Sequence, residues 1–289
     1  MTTLLVDLGN TRVKWATLTG RRISRQRAAA HGGWTRADFR LQLFSGRSPV
    51  TRVVVVSVAA KAVERALVAA LRQVGAVAPE FVRATRRVGD VRNGYRQVWR
   101  LGADRWVALL AARALAPPGW AVCVVDVGTA TTIDVLNADG RHLGGAIVPG
   151  PALMVRSLLA GTDGIRRRAG DAARGLRATS PAIPRGVASL FARSTAAGLA
   201  TGAWHASAAV IERAVQQAAV AVKSRGLQLF ITGGAANSIR PLLHVYRVKL
   251  VPDLVLRGLS VVAAESDRKK RRGSVRVGLR KRPAMPRIR

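Results

Sequence analysis

The sequence predicts an α/β fold made of two similar halves, each built on a mixed sheet. Three observations carry this. Apolar strand-like runs alternate with stretches of helical spacing, the pattern of α/β chains. An apolar run ending in Asp-x-Gly, followed by small hydroxyl or amide residues, occurs at Asp7–Gly9 and again at Asp126–Gly128. Each copy leads straight into another strand, so both halves contain hairpins and neither sheet is purely parallel.

Residues 3–7 read as a strand and 12–19 as its hairpin partner. The β-branched run 50–59 suits a buried strand. Val63, Ala66, Leu67, Ala70, Leu71 and Val74 follow at helical spacing, and a further strand falls near 80–83. A helix is predicted from Asp104 to Leu115, with Trp106, Leu109 and Leu110 on one face. Pro117, Pro118 and Gly119 then break the chain. The second half opens with strands around Cys123 and Ile133, joined through the Asp139–Gly140 turn to a third strand. Trp204, Ala208, Ile211, Val215, Ala218 and Val222 mark a long buried helix. The stretch 227–236 reads as a strand ending in paired glycines, and 248–264 as a short strand and a closing helix. The predicted domains are 1–117 and 118–267, followed by a basic tail over 268–289.

That tail carries eleven Lys or Arg and no acid, interleaved with Gly and Pro, and is expected to be disordered. The formal charge of the chain is +33. Such a field attracts nucleotides, nucleic acid and acidic metabolites, although a general preference for Arg at surface positions produces the same count. Cys123 is the single cysteine, which excludes an intrachain disulfide and a cysteine metal cluster. The four histidines show no metal-ligand spacing. Without a bilayer-length apolar run or a signal-like start, the expected location is cytoplasmic, with no membrane partner.

"DLGNTRVK", residues 7–14, reads either as a plain hairpin turn or as a phosphate seat. In the second case Gly9 admits a bulky anion, Asn10 and Thr11 donate to it, Asp7 holds Mg²⁺ and Lys14 neutralises charge. Neither a Walker loop nor G-x-G-x-x-G after a strand is present. In "LGADRW", Asp104 either caps a helix or does chemistry. Arg105 then stands as a surface charge at the unfavourable end of the helix dipole, or binds an anion. Asp126 can bind a cation, and Thr129, Thr131 and Thr132 offer hydroxyls. "GGAIVPG" at 144–150 and "ITGG" at 231–234 are turns, or places where bare backbone meets a neighbour or ligand.

Taken together and in order, "DLGNTRVK", "LGADR", "DVGTATTID", "GGAIVPG", "RSTAAGLATG" and "PDLVLRGL" resemble the type III pantothenate kinase family. The resemblance runs from residue 3 to about 264. It implies two duplicated ribonuclease-H-like domains packed across a cleft, the actin-like ATPase superfamily architecture, in a homodimer. The implied reaction is ATP-dependent phosphorylation of pantothenate to 4'-phosphopantothenate, the first step toward coenzyme A, with Mg²⁺ and a monovalent cation (K⁺ or NH₄⁺). By the same resemblance, Asp7, Leu8, Gly9, Asn10, Thr11, Arg12, Val13 and Lys14 hold ATP, Asp7 lies near Mg²⁺, and Thr129 touches ATP. Asp126 is the monovalent-cation ligand and Asp104 the general base. Tyr95, Gly102, Ala103, Asp104, Arg105 and Thr195 hold pantothenate, with the Arg105 fork on its carboxylate. The sequence departs from the family at Val98, where a proline is usual, and over 161–170. The alternatives are a nucleic-acid-binding or transcription accessory protein on the same scaffold, with the basic tail as its contact, and a kinase of another small hydroxylated acid.

Overall fold

The computed structural model describes residues 2–44, 50–75, 78–170, 189–245 and 247–278, with side chains as far as Arg268. The first sheet contains β1 (Thr2–Leu8), β2 (Arg12–Thr19), β3 (Arg22–Ile23), β4 (Arg27–Ala30), β5 (Arg52–Ser57) and β6 (Glu80–Val82). Its order is β3-β2-β1-β5-β6, with β4 also on β2. A two-stranded ribbon, β7 (Arg87–Val88) and β8 (Val91–Arg92), follows. The second sheet contains β9 (Ala121–Val127), β10 (Ala130–Leu136), β11 (His142–Pro149), β12 (Leu227–Thr232) and β13 (Val248–Leu250), in the order β11-β10-β9-β12-β13.

The two sheets share one topology. In each, the opening strand is central, antiparallel to its hairpin partner and parallel to the strand that returns after a helical crossover. The parallel pairs need those crossovers, which are supplied by α1 (Arg36–Phe44) and α2 (Lys61–Gln73) in the first half. The second half uses α4 (Pro151–Gly161), α5 (Asp163–Ala169), α6 (Thr195–Ala221) and α7 (Ala236–Ile239). Between the halves runs α3 (Ala103–Leu115), and α8 (Leu254–Gly278) closes the chain.

Strand alternation divides the apolar side chains among three cores. On β1, Leu4, Val6 and Leu8 face α1 and α2, where Phe39, Leu43, Leu67 and Leu71 are buried. Leu5 faces the other way. On β9, Cys123, Val125 and Val127 face Trp204 and Ile211 of α6, while Val122 and Val124 face the opposite side. Leu5, Val54, Val56, Val122, Val124 and Phe230 all meet in one central core filled by α3 and α8. The halves therefore share a helical layer. For this reason α3 is buried on every side from Arg105 to Ala112, not on one face as its spacing suggested.

The pairing of α3 with α8 is close. A Cβ at Gly258 would lie 1.9 Å from the Val107 carbonyl oxygen. Elements with little periodicity escaped the sequence reading: β3, β4, β7, β8, α4, α5, and α1, whose Phe39 and Leu43 are its only buried residues. Helix α8 runs from Leu254 to Gly278, across the boundary predicted at 267. Lys and Arg are good helix formers, and no proline interrupts before Pro283. Residues 279–289 lie outside the described residues.

Gly258→Ala is expected to destabilise the fold by about 1–3 kcal/mol, because the added methyl must separate two packed helices. A fall in the midpoint of chemical unfolding, followed by tryptophan fluorescence, checks this; an unchanged midpoint contradicts the shared helical layer.

Candidate functional site

The two repeated turns meet. The β1–β2 turn, residues 9–11, and the β9–β10 turn, residues 128–129, touch through Thr11 Oγ1 and Thr129 Oγ1, 3.0 Å apart. Each turn is closed by its glycine amide: Gly9 N–H donates to the Arg12 carbonyl and Gly128 N–H to the Ala130 carbonyl, both at 3.0 Å. Gly9 therefore gives room, not a free donor, and the amides of Asn10 and Thr11 are left for an anion. Leu8 and Val13 are buried in the first-half core, so they can serve a ligand only through their backbone. Arg12 and Asn10 are exposed at the turn.

Cross-strand register explains the charges beneath. Asp7 lies directly opposite Lys14, so both side chains leave the same face, and Lys14 Nζ stands 3.5 Å from Asp7 Oδ2. Asp126 occupies the equivalent position on β9, opposite Thr132. The Asp7 carboxyl is pushed up to about 6, chiefly by burial and further by the charges of Asp126 and Asp104, against the pull of Lys14. Burial lowers the proton affinity of Lys14, but Asp7 and Asp126 outweigh it and hold the ammonium above its ordinary value. Burial likewise raises Asp104; the Arg105 amide opposes this and Asp126 adds to it. Three carboxylates thus share one cleft with a single lysine among them.

The second-half turn needs a glycine beside it. Gly233, at the end of β12, has φ +99°, and a Cβ there would lie 2.4 Å from Asp126 Oδ1. The "ITGG" stretch thus meets Asp126 at Gly233, whereas Gly234 faces open space.

His31 supports the first turn. It is buried after β4, and its backbone N–H donates to the Thr11 carbonyl at 3.3 Å. Its Nε2 lies 2.7 Å from the Gly9 carbonyl oxygen. A carbonyl only accepts, so Nε2 carries the proton and the imidazole holds the turn as a donor. The sequence reading missed His31; its only signal was a histidine close after the hairpin.

The other wall is the start of α3. Its N-cap is Gly102, which makes no side-chain bond, and Asp104 is the second helical residue, so Asp104 is not the cap. Its Oδ1 accepts from the Arg105 amide at 2.8 Å. Arg105 is not a surface charge: it is 7% exposed. Its Nε and Nη2 donate to Asp134 Oδ2 and Oδ1, both at 2.7 Å, and Nη1 donates to the Tyr95 hydroxyl at 3.2 Å. The fork assigned to a substrate carboxylate is thus engaged by Asp134, a residue the sequence reading left without a role.

Tyr95 is half-buried on the loop before α3. Asn93 shapes that loop, accepting from the Tyr95 amide at 2.9 Å and donating to the Val98 carbonyl at 3.1 Å. Its form therefore does not rely on a proline at 98. Ala103 packs against the central core. Thr195 opens α6 behind its cap Ser194, on the helix that packs against α4 and α5, and makes no described contact with the three carboxylates.

Two sheets of one topology, joined at a cleft where paired Asp-x-Gly turns meet, define an actin-like ATPase architecture. Solved structures agree on the fold. MreB 5 of Spiroplasma citri bound to AMPPNP superposes with TM-score 0.51 at 10% identity, covering 94% of this chain and 98% of that one. The activator of the 2-hydroxyisocaproyl-CoA dehydratase from Clostridium difficile, with bound ADPNP, gives 0.50 at 15% identity, over 99% and 100%. The type III pantothenate kinase family model matches residues 3–217. A type III pantothenate kinase of Nitrosococcus oceani is 38% identical over 271 residues, 93% of this chain and 96% of the relative. The chain belongs to the type III pantothenate kinase family.

Two outcomes are expected at the first turn. A carboxyl pushed up to about 6 attracts a cation only once ionised, so affinity for ADPNP with a divalent metal is expected to fall by up to about tenfold per pH unit below pH ~6. Calorimetric titration between about pH 5 and 8 checks this; a flat profile contradicts the shared-carboxylate cleft. His31→Phe keeps the bulk but removes the donor to Gly9, and nucleotide binding weakens by roughly threefold to tenfold. Equal affinity in the two proteins would mean the turn holds itself.

Proposed function

We propose that the cleft transfers the γ-phosphoryl group of ATP to the primary hydroxyl of pantothenate, giving 4'-phosphopantothenate, the first step toward coenzyme A. One observation carries this reading within the family: Asp7, Lys14, Asp104 and Asp126 converge where Thr11 and Thr129 meet.

Phosphoryl transfer passes through a loose transition state, so positioning and charge neutralisation do most of the work. The Asn10 and Thr11 amides, the Thr11 and Thr129 hydroxyls and Lys14 suit the phosphate oxygens. The residues also fit the cations. Among the described residues no cluster of three or more His, Cys, Asp or Glu forms a complete metal cage. Mg²⁺ with a nucleotide asks for only one or two carboxylates, the rest of its shell being phosphate and water, and Asp7 meets that need. Asp126, a hard oxygen donor at the second turn, is the ligand for a monovalent cation such as K⁺ or NH₄⁺. When bound, these cations supply charge neutralisation at the phosphates.

Asp104 orients the pantothenate hydroxyl and takes its proton late in the transfer. Burial raises its proton affinity, which suits a base, while the Arg105 amide holds one carboxylate oxygen in place. Tyr95, Gly102, Ala103 and Arg105 form the pantothenate wall, and Thr195 is its further contact. Arg105 offers this wall its remaining N–H groups, since Asp134 takes the fork.

We further propose a homodimer and a cytoplasmic location. Leu143 and Ile147 of edge strand β11 are 45% and 61% exposed, and Leu158 of α4 is 44% exposed. A second copy of the chain would cover exposed apolar side chains of this kind. No helix among the described residues is long and apolar enough to cross a membrane.

A coupled ADP-release assay with ATP, Mg²⁺, K⁺ and pantothenate is expected to show turnover that disappears when pantothenate or K⁺ is omitted. Turnover indifferent to pantothenate would sink the reading. Asp104→Asn is expected to retain nucleotide binding and lose turnover by a factor of roughly 10²–10⁴. A near-normal rate in this variant would reduce Asp104 to a helix-terminal charge.

A further inference from the structure

Beneath the pantothenate wall lies a buried polar cluster that the transfer chemistry does not use. Asp134 of β10 is 2% exposed and accepts three hydrogen bonds: from Arg105 Nε at 2.7 Å, from Arg105 Nη2 at 2.7 Å, and from His142 Nε2 at 2.9 Å. The carboxylate only accepts in this pairing, so His142 carries its proton on Nε2. The His142 ring, 1% exposed, stacks on Tyr95 with centroids 5.7 Å apart, and the Tyr95 hydroxyl accepts from Arg105 Nη1. The ring is closed: Asp134, Arg105, Tyr95 and His142 each touch two others.

This cluster spans the molecule. Arg105 and Tyr95 come from the first half, Asp134 and His142 from the second. Its geometry leaves no slack on the β11 side, where a Cβ at Gly145 would lie 2.6 Å from Asp134 Oδ1, 2.8 Å from Arg105 Nη2 and 2.0 Å from the Ile133 carbonyl oxygen. A glycine there makes space for the ion pair. Gly145 of "GGAIVPG" thus serves an internal salt bridge.

A bidentate pair fixes the plane of a guanidinium as well as its place. With Nε and one Nη2 hydrogen on Asp134 and one Nη1 hydrogen on Tyr95, two of the five N–H groups remain unassigned. We propose that Asp134 is a positioning residue for substrate selection: it locks Arg105 so that these remaining N–H groups present one fixed geometry to the carboxylate of pantothenate, with His142 and Tyr95 bracing the pair. Asp134 also offsets the Arg105 charge, so the site selects by hydrogen-bond direction more than by bulk attraction to any anion. The inference rests on the pantothenate kinase reading above.

The test compares two substrates: pantothenate, and the alcohol in which CH₂OH replaces its carboxylate. Wild-type enzyme is expected to prefer pantothenate. In Asp134→Asn, kcat/KM for pantothenate falls by roughly 10- to 100-fold, while that for the alcohol and the KM for ATP each change by less than about threefold. Removing one member of a buried pair can prevent folding. If Asp134→Asn shows no cooperative melt, Asp134→Glu, which keeps the carboxylate and shifts it by one methylene, is read by the same ratio. A selective loss for pantothenate supports the assignment. An equal loss for both substrates, or no loss in a folded variant, overturns it and makes the cluster purely structural. Wild-type enzyme that turns over pantothenate while the variant keeps its selectivity sinks only this inference. Wild-type enzyme with no pantothenate turnover removes the reading beneath it as well.

Discussion

The gathering of carboxylates, one of them buried, around a single cleft is the constraint around which this molecule is organised. Burial raises the proton affinity of Asp7 and Asp104, the charge of Asp126 adds to both and that of Asp104 to Asp7, and Lys14 is the one ammonium among them. Like charges brought together in a partly desolvated cleft are unfavourable until a cation joins them. A chain that keeps such an arrangement needs a scaffold that cannot relax it. Here the scaffold is the central helical layer, where α3 and α8 fill the space between two sheets and carry Asp104 into the cleft on a helix buried all round.

The duplication gives this arrangement its symmetry. Each half turns the same topology into the same feature, a central strand ending in a carboxylate beside a glycine turn. The copies then diverge. Opposite Asp7 stands Lys14; opposite Asp126 stands Thr132. One turn therefore pairs a carboxylate with a fixed positive charge, and the other leaves its carboxylate to a neutral partner. That difference gives the two turns unlike charge without any change of fold.

Charge on the outside and inside of the molecule has opposite sign. The chain carries +33 overall, yet the described cleft is rich in carboxylates. A positive exterior raises the local concentration of anionic small molecules. The Arg105–Asp134 pair follows the same logic on a smaller scale, since a neutralised arginine discriminates by direction where a bare one would attract any anion.

Much of this was legible in the residues themselves. The apolar runs of "LLVDL" and "CVVDV" specified strands, the glycine after each aspartate specified turns, and their repetition specified a duplicated fold; these signals are local and need no partner. The tertiary structure alone decided three other things. It showed that Arg105 is buried and that Asp134 holds its fork, because residues 29 positions apart in different halves leave no common pattern in the chain. It placed His31 under Gly9, since a hydrogen bond to a carbonyl oxygen has no side-chain signature at the accepting end. And it ran α8 to Gly278, across the boundary predicted at 267, where the absence of proline leaves the backbone free to stay helical. Periodicity reports how each element meets its own core; only the folded chain reports which distant charges have been made neighbours.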